Sequence, residues 1–291
     1  MSLQSAWRKL KFHRKNRSLS LDVILALVLG SFGLFSVWPL VYIASSAFKP
    51  LNEIFLFPPR LFVMRPTLNN FRDLSLVMNT AWIPVSRYVF NTVLITALGT
   101  AGSVFIGSMA AFPLAKFKFP GSAVMSGVIV YSLMFSSSVT AIPNYLIMSK
   151  LRLIDTYWAV ILPAAGSTLG VFLMRNFMTQ IPDSLIDSAK IDGAGDMTVF
   201  MRIAMPISKP AWITLVILSF QSLWGTTGGT FLYTEKLKPV SYALTQIVSA
   251  GVARTGVAAA VSLIMLAVPV GVFIFAQSNV IETMANSGIK G

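Results

Sequence analysis

Cysteine is absent from this 291-residue chain, so neither a disulfide nor a thiolate metal site can form. Histidine occurs once, at His13, among Arg8, Lys9, Lys11, Arg14, Lys15 and Arg17. In that company it reads as part of a solvated basic tail rather than as a catalytic base or ligand. Charge is scarce as well: Asp, Glu, Lys and Arg make up 11% of the residues, against about 25% in soluble domains. Most of the surface therefore faces lipid or other membrane-buried protein. A G-x-x-x-x-G-K-[ST] phosphate loop is missing, which excludes nucleotide hydrolysis by that route. G-x-S-x-G, H-E-x-x-H and clustered carboxylates at membrane depth are missing too, so no acid/base or nucleophile pair supports a membrane-embedded enzyme. The alternative of an ion-coupled secondary transporter of small solutes calls for ionisable groups inside the spans. The candidate Asp22 lies at a span edge and reads as an interfacial or helix-N-terminal charge.

What the chain has in abundance is uncharged sequence, at 23–48, 88–115, 119–149, 156–174, 210–234 and 255–281. A helix needs about 20 apolar residues to cross the hydrocarbon core. These runs predict six transmembrane helices in an all-α, polytopic membrane protein; barrel strands would be shorter and alternating. The first run is too long for the apolar part of a signal peptide. A net charge of +13 suits anionic headgroups and orients the spans, so nucleic acid is not an expected partner and membrane lipid is. The basic residues before the first span put the amino terminus in the cytoplasm. Six spans then return the carboxyl terminus there, with Lys116, Lys118 and the 179–210 loop on the same side. The expected organisation is a basic cytoplasmic tail over 1–20, one membrane domain over 21–281, and a cytoplasmic tail over 282–291.

Punctuation refines the elements. The first helix is expected from about Leu21 to Ala47, then Pro58-Pro59 and Pro66 mark turns, with a short amphipathic helix near Phe71–Met78. The second helix starts near Tyr88, and its Gly99, Gly102, Gly107, Ser108, Ala110 and Ala111 form a close-packing face. Ser136-Ser137-Ser138 and Pro143 should kink or end the third run. The fourth should end at Arg175-Asn176, the fifth should run from Pro210 to the glycines around 225–229, and the sixth should cover about Val257 to Gln277 with Pro269 bending it.

The 179–210 loop stands apart. Four of the chain's ten acidic residues fall between Asp183 and Asp196. Pro182 suits a helix start, Leu185, Ile186 and Ala189 form an apolar stripe, and Gly193 can end that helix in a left-handed conformation. Asp196 then looks like an N-cap, with Met197, Phe200, Ile203 and Ala204 on one face of a second helix. Helices this short are marginal in water, so their apolar faces need a partner. Docking to another protein competes with a hairpin lying on the bilayer, and four aspartates among anionic headgroups favour docking.

The same stretch resembles the coupling loop of bacterial ABC importer permeases. That family's Glu-Ala-Ala, three residues, Gly, nine residues, Ile-x-Leu-Pro is matched here by Asp187-Ser188-Ala189, Gly193 and Ile203-Ala204-Met205-Pro206. Asp replaces Glu, Ser replaces the first Ala and Met replaces Leu, while the spacing is kept. Arg87-Tyr88-Val89-Phe90-Asn91-Thr92, Ile142-Pro143-Asn144-Tyr145-Leu146 and Phe172-Leu173-Met174-Arg175-Asn176-Phe177 resemble the maltose-type sugar branch. The 225–233 segment and Ile281-Glu282-Thr283-Met284-Ala285-Asn286-Ser287 resemble alginate-importer permeases. The resemblance implies an ABC type I importer permease fold in a bacterial cytoplasmic (inner) membrane, with no cofactor in this chain. It also implies a second, related permease subunit, two ATPase subunits that hold ATP and Mg, an extracytoplasmic solute-binding protein and an oligosaccharide substrate. Asp187, Ser188, Ala189, Gly193, Ile203 and Pro206 would then be the ATPase-coupling residues.

A substrate path is less sharply drawn. Asn91, Gln221, Trp224, Thr226 and Thr227 are polar or aromatic groups in apolar spans, and suit either sugar contact or helix-to-helix bonding. The family's Trp-Asn-acidic pattern is replaced here by Trp224-Gly225-Thr226, so its substrate contacts do not carry across. The 49–87 and 235–256 segments hold eight Lys/Arg against Glu53, Asp73 and Glu235. Such a field suits an acidic oligosaccharide of the alginate type, or an acidic patch on the binding protein.

Overall fold

Runs of apolar side chains with no charge to solvate leave a chain in lipid one local solution, the helix, which satisfies its own backbone. In the computed structural model residues 19–80, 83–249, 251 and 254–287 are described, and among them every regular element is helical. The basic 1–18 segment with His13 and the 288–291 end lie outside the described residues.

The chain opens with α1 (Leu19–Ala47), followed by the short α2 (Leu51–Ile54) and the amphipathic α3 (Asn69–Thr80). Next come α4 (Val85–Lys116), α5 (Ser122–Ser132), α6 (Ser137–Lys150), α7 (Trp158–Ala165) and α8 (Thr168–Thr179). The loop contains α9 (Asp183–Ile191), α10 (Asp196–Val199), a π-helical turn over Phe200–Ala204 and α11 (Met205–Ile207). The last helices are α12 (Lys209–Trp224), α13 (Val240–Ser249) and α14 (Thr255–Ser287).

Four stretches are long and apolar enough to cross a membrane unaided: α1, α4, the α7–α8 stack over Trp158–Thr179, and α14. Two further pairs are bent, α5 against α6 by 115° and Asp196–Ile207 against α12 by 78°, so six spans are reached only by counting the bent pairs. The third run breaks at the serines, as expected, while Pro143 lies inside α6 and does not end it. The fourth continues to Thr179, past Arg175-Asn176, and the sixth starts at Thr255 and extends to Ser287.

Packing centres on α4. A Cβ added at Gly99 would lie 2.5 Å from Leu223 Cδ1, one at Gly102 2.9 Å from the Cβ of Ala165, and one at Gly107 3.4 Å from the carbonyl carbon of Gly170. The expected small-residue face therefore brings α4 against α7, α8 and α12 closer than larger side chains allow. α14 packs on α1 and α3 and is tied to α12 by Trp224 Nε1, which donates to the Met265 carbonyl at 3.1 Å.

The 49–70 stretch is a folded element. Asn70 Nδ2 donates to the carbonyls of Ala47 (2.9 Å) and Lys49 (2.8 Å), and Glu53 accepts from the Met64 amide at 2.7 Å. Lys49, Glu53 and Lys238 are buried, so they do not contribute to the expected basic surface. Lys49 Nζ donates to the Arg60 carbonyl and sits over Tyr42, and Lys238 lies over Tyr242 at 4.4 Å.

Candidate functional site

The loop is a bent pair of helices seated on the membrane domain. Pro182 precedes α9 in extended geometry, and Asp183 supplies a carboxylate to its first turn. The helix ends where the Gly193 amide donates to the Lys190 carbonyl (3.0 Å) and the Ala194 amide to Ala189 (2.9 Å), with Gly193 at φ +83°. An L-residue adopts that conformation at a cost, which is why glycine occupies it. Gly195, rather than Asp196, holds the N-cap position of α10. Asp196 is already helical, and its carboxylate pairs with Lys190 at 3.1 Å across the bend.

One face of the loop is buried within the chain. Ile186, Val199, Phe200 and Ala204 join Ala111 and Phe112 of α4, Met174 and Met178 of α8, and Ala211 and Leu215 of α12 in one continuous core. Val199 takes the buried place expected for Met197: Val199 with Ile203 and Phe200 with Ala204 form i, i+4 pairs toward the core, and Met197 lies outside that stripe, exposed. The loop's apolar residues thus find part of their partner in cis. The other face remains open: Ile191 is 86% exposed, and Leu185, Met197 and Met201 are exposed beside Asp187, Ser188 and Asp192. Of the expected coupling residues, Asp187, Ser188, Gly193 and Pro206 lie on open surface, whereas Ala189 and Ile203 are half-buried against the core.

Lys116, which sequence reasoning placed but gave no role, closes the joint beneath the loop. Its side chain is only 4% exposed, and Nζ donates to Asp183 Oδ1 at 2.8 Å, to the Ile181 carbonyl, and to Thr179 at 3.5 Å. The ammonium holds the Asp183 carboxyl below the usual carboxylate range. Arg175 Nε returns the link by donating to the Leu114 carbonyl at 3.4 Å.

At the opposite end of α4 the expected substrate-path residue Asn91 is differently employed. It is fully buried: Nδ2 donates to the carbonyls of Lys236 (2.9 Å) and Lys238 (2.8 Å), while Oδ1 accepts the Tyr157 hydroxyl at 2.7 Å. Of the two roles the sequence leaves open for Asn91, sugar contact or bonding between segments, its contacts are those of the second, with both amide hydrogens and the carbonyl oxygen engaged within the chain. Thr226 and Thr227 accept from the amides of Gly228 and Gly229 and shape the turn after α12. Trp224 is stacked on Phe220 and bonded to α14, and Gln221 is exposed. Asp155 accepts from the amides of Tyr233 and Thr234, both at 2.8 Å, and from the Thr234 hydroxyl, which lowers its pKa.

A cavity of about 220 Å³ opens beside the break between α7 and α8, lined by Ser167, Ser219, Ser222, Leu215, Leu218 and Pro163 among others. Its serines were missed because single hydroxyls in apolar runs carry no spacing signal. The nearest hint was Gly166-Ser167, where Ser167 caps α8 by accepting from the Gly170 amide.

A family model described as "Binding-protein-dependent transport system inner membrane component" matches residues 103–283, more than half of the chain. The chain belongs to that family. This permease is 32% identical over 236 residues to the polygalacturonan/rhamnogalacturonan transport system permease protein YtcP of Bacillus subtilis, covering 80% of this chain and 79% of that protein. It is 27% identical over 202 residues to the arabinooligosaccharides transport system permease protein AraQ of the same organism, covering 69% and 71%. Its fold matches a chain of a bacterial ABC transporter involved in the import of the acidic polysaccharide alginate, with a TM-score of 0.76 at 22% identity over 91% of this chain and 99% of that one. A second match, at TM-score 0.60 and 15% identity, is to a bacterial alginate ABC transporter in complex with an alginate pentasaccharide-bound periplasmic protein, covering 87% and 92%. The permease is thus an inner-membrane transport component with the type I importer fold, and not itself an enzyme.

Proposed function

We propose that the permease carries oligosaccharides inward by alternating access, driven by two ATPase subunits that dock on the 183–206 loop and hold ATP and Mg between them. The observation that carries this reading is the two-sidedness of the loop. One face is locked into the cores of α4, α8 and α12, while the other offers Leu185, Ile191, Met197 and Met201 to a partner beside exposed carboxylates. A surface helix with nothing to contact would place polar groups there. Closure of the ATPases around ATP would move the loop, and the loop is packed too tightly on the spans to move alone.

A second, related permease subunit completes the path, and an extracytoplasmic binding protein delivers the sugar at the end bearing Arg87, Tyr157 and Lys236. The loop and both termini are then cytoplasmic. An acidic oligosaccharide suits the exposed Arg60, Arg65, Arg72, Arg87, Lys236 and Arg254, which outnumber the exposed Asp73 and Glu235 in the same segments. Among the relatives, the polygalacturonan/rhamnogalacturonan permease is named for an acidic polymer and AraQ for a neutral oligosaccharide, so the basic surface is what favours the acidic class. In the reconstituted complex with its binding protein, ATP hydrolysis should rise with uronate oligosaccharides more than with neutral ones of matched length. Stimulation by neutral sugars alone removes the acidic substrate and leaves the sugar importer. No stimulation by any saccharide removes both.

A further inference from the structure

The loop is joined by sequence only to α8 and α12, yet Lys116 of α4 bonds the Asp183 carboxylate that opens it and two carbonyls that lead into it. The linker between α8 and α9 is the three residues Gln180, Ile181 and Pro182. Lys116, the last residue of α4, reaches across it to carbonyls on one side and to Asp183 on the other. A helix leaves its final carbonyls without intrahelical partners and its carboxyl end partially negative, so an ammonium is well matched to that place. The Lys116 side chain is almost wholly buried, which shields its bond to the Ile181 carbonyl from competition with water, whereas its Asp183 and Thr179 partners are exposed. Arg175 ties the reverse direction, from α8 to the Leu114 carbonyl near the end of α4.

From that joint α4 runs without a break, as a 32-residue helix, to the other end of the molecule. There Asn91 holds the Lys236 and Lys238 carbonyls, Thr92 Oγ1 accepts the Val240 amide at 2.8 Å, and Arg87 Nε donates to Lys236 at 3.2 Å. Along its length Gly102 and Gly107 seat the helix against α7 and α8. One rigid element is thus bonded at its two ends to the loop and to the strap before α13.

We infer that Lys116 is a positioning residue for energy coupling: it fastens α4 to the loop, so that loop motion reaches the 236–240 strap through α4 as a rod. The inference rests on the reading of the loop as the ATPase dock. Lys116→Met keeps the aliphatic stem and its burial but removes the donors at the joint. Lys116→Arg restores charge and donors. Asp183→Asn removes the ion pair yet leaves both carbonyl bonds, and because Asp183 is 80% exposed the pair is the weaker part of the joint.

The experiment uses the complete reconstituted complex and reads sugar uptake per ATP hydrolysed. Because this chain has no cysteine, spin labels placed before assembly with the partner subunits, at Thr198→Cys of the loop and Ile106→Cys of α4, both exposed, report the separation of loop and α4 without background from the chain itself. Expected results are a fall of about tenfold in uptake per ATP for Lys116→Met, a size typical of coupling between sites, and substantial recovery with Lys116→Arg. Asp183→Asn should lose about twofold or less, as exposed pairs do. The labels should keep one separation through the ATP cycle in the parent protein and should shift or broaden with ATP in Lys116→Met. Gly193→Val serves as the control on the loop itself. If it uncouples while Lys116→Met keeps parental uptake per ATP and label separation, the rod is wrong and the docking loop stands. If neither variant uncouples, both readings fall.

Discussion

The Tyr157 hydroxyl donates to Asn91 Oδ1 at 2.7 Å, joining the start of α7 to a residue in the second turn of α4. The same amide holds two carbonyls of the strap before α13, so three segments far apart in sequence meet at one buried side chain.

Asn91→Leu should therefore act on stability. It removes the donors to the Lys236 and Lys238 carbonyls and the acceptor of the Tyr157 hydroxyl proton. Arg87 still donates to the Lys236 carbonyl and the Tyr157 oxygen, so the main loss, about 1–3 kcal/mol, falls on the buried Lys238 carbonyl. Thermal unfolding in detergent should shift down, with sugar preference unchanged among the molecules that remain folded. A changed preference at unchanged stability would return Asn91 to the substrate path.

Gly193 tests the loop bend. No atom lies within 4 Å of a Cβ built there, so substitution is limited by backbone conformation alone. Gly193→Val should cost about 1–3 kcal/mol of local strain and lower uptake per ATP. Gly193→Asn should come close to the parent, because asparagine tolerates the left-handed region. Equal damage by both would mean that the side chain itself, not the bend, disturbs the dock.

Ile191 tests the open face. At 86% exposure it contributes almost nothing to this chain's own core, so Ile191→Asp should leave membrane insertion and melting intact. Affinity for the ATPase subunits should fall by about 1–2 kcal/mol or more if the residue is desolvated at the interface, measured by co-purification and by binding to the permease in nanodiscs.

Asp155 and Asp183 both have carboxyl pKa values lowered by donors in the folded chain. A depressed pKa contributes stability above the unfolded value, and that stability is lost as pH falls through the folded one. Between about pH 5 and 8 neither group titrates, so coupling should be flat across that window with respect to them. Loss should begin only in more acid solution. Asp155→Asn should loosen the 233–234 turn at every pH and abolish its acid sensitivity in hydrogen exchange.

Much of this was legible in sequence because the relevant physics is local. Apolar length marked the spans, the glycines of α4 marked its close-packed face, and Pro182 and Gly193 marked the limits of α9. What escaped depends on residues far apart in the chain. Asn91 and Lys238 are 147 positions apart, and Lys116 and Asp183 are 67 apart, so no spacing rule pairs them. Lys49 and Lys238 looked like surface charge because burial of a lysine over a tyrosine ring depends on the tertiary fold. Val199 rather than Met197 faces the core, because both sit at the edges of the stripe centred on Phe200 and Ala204 and only the packing against α4, α8 and α12 decides between them.

The break between α5 and α6 has a consequence for what surrounds the chain. It falls in the middle of an uncharged run, where α5 buries none of its residues, and it turns the backbone by 115°. The amides of Leu133, Met134 and Phe135 keep partners one turn back, but hydrocarbon offers no donors to the carbonyls released at such a corner. A neighbouring protein surface or a water-filled lumen must supply them. The monomer, competent as a fold, is an incomplete solute for lipid, and the corner from Leu133 to Ser136 is the place where it should show a dependence on company.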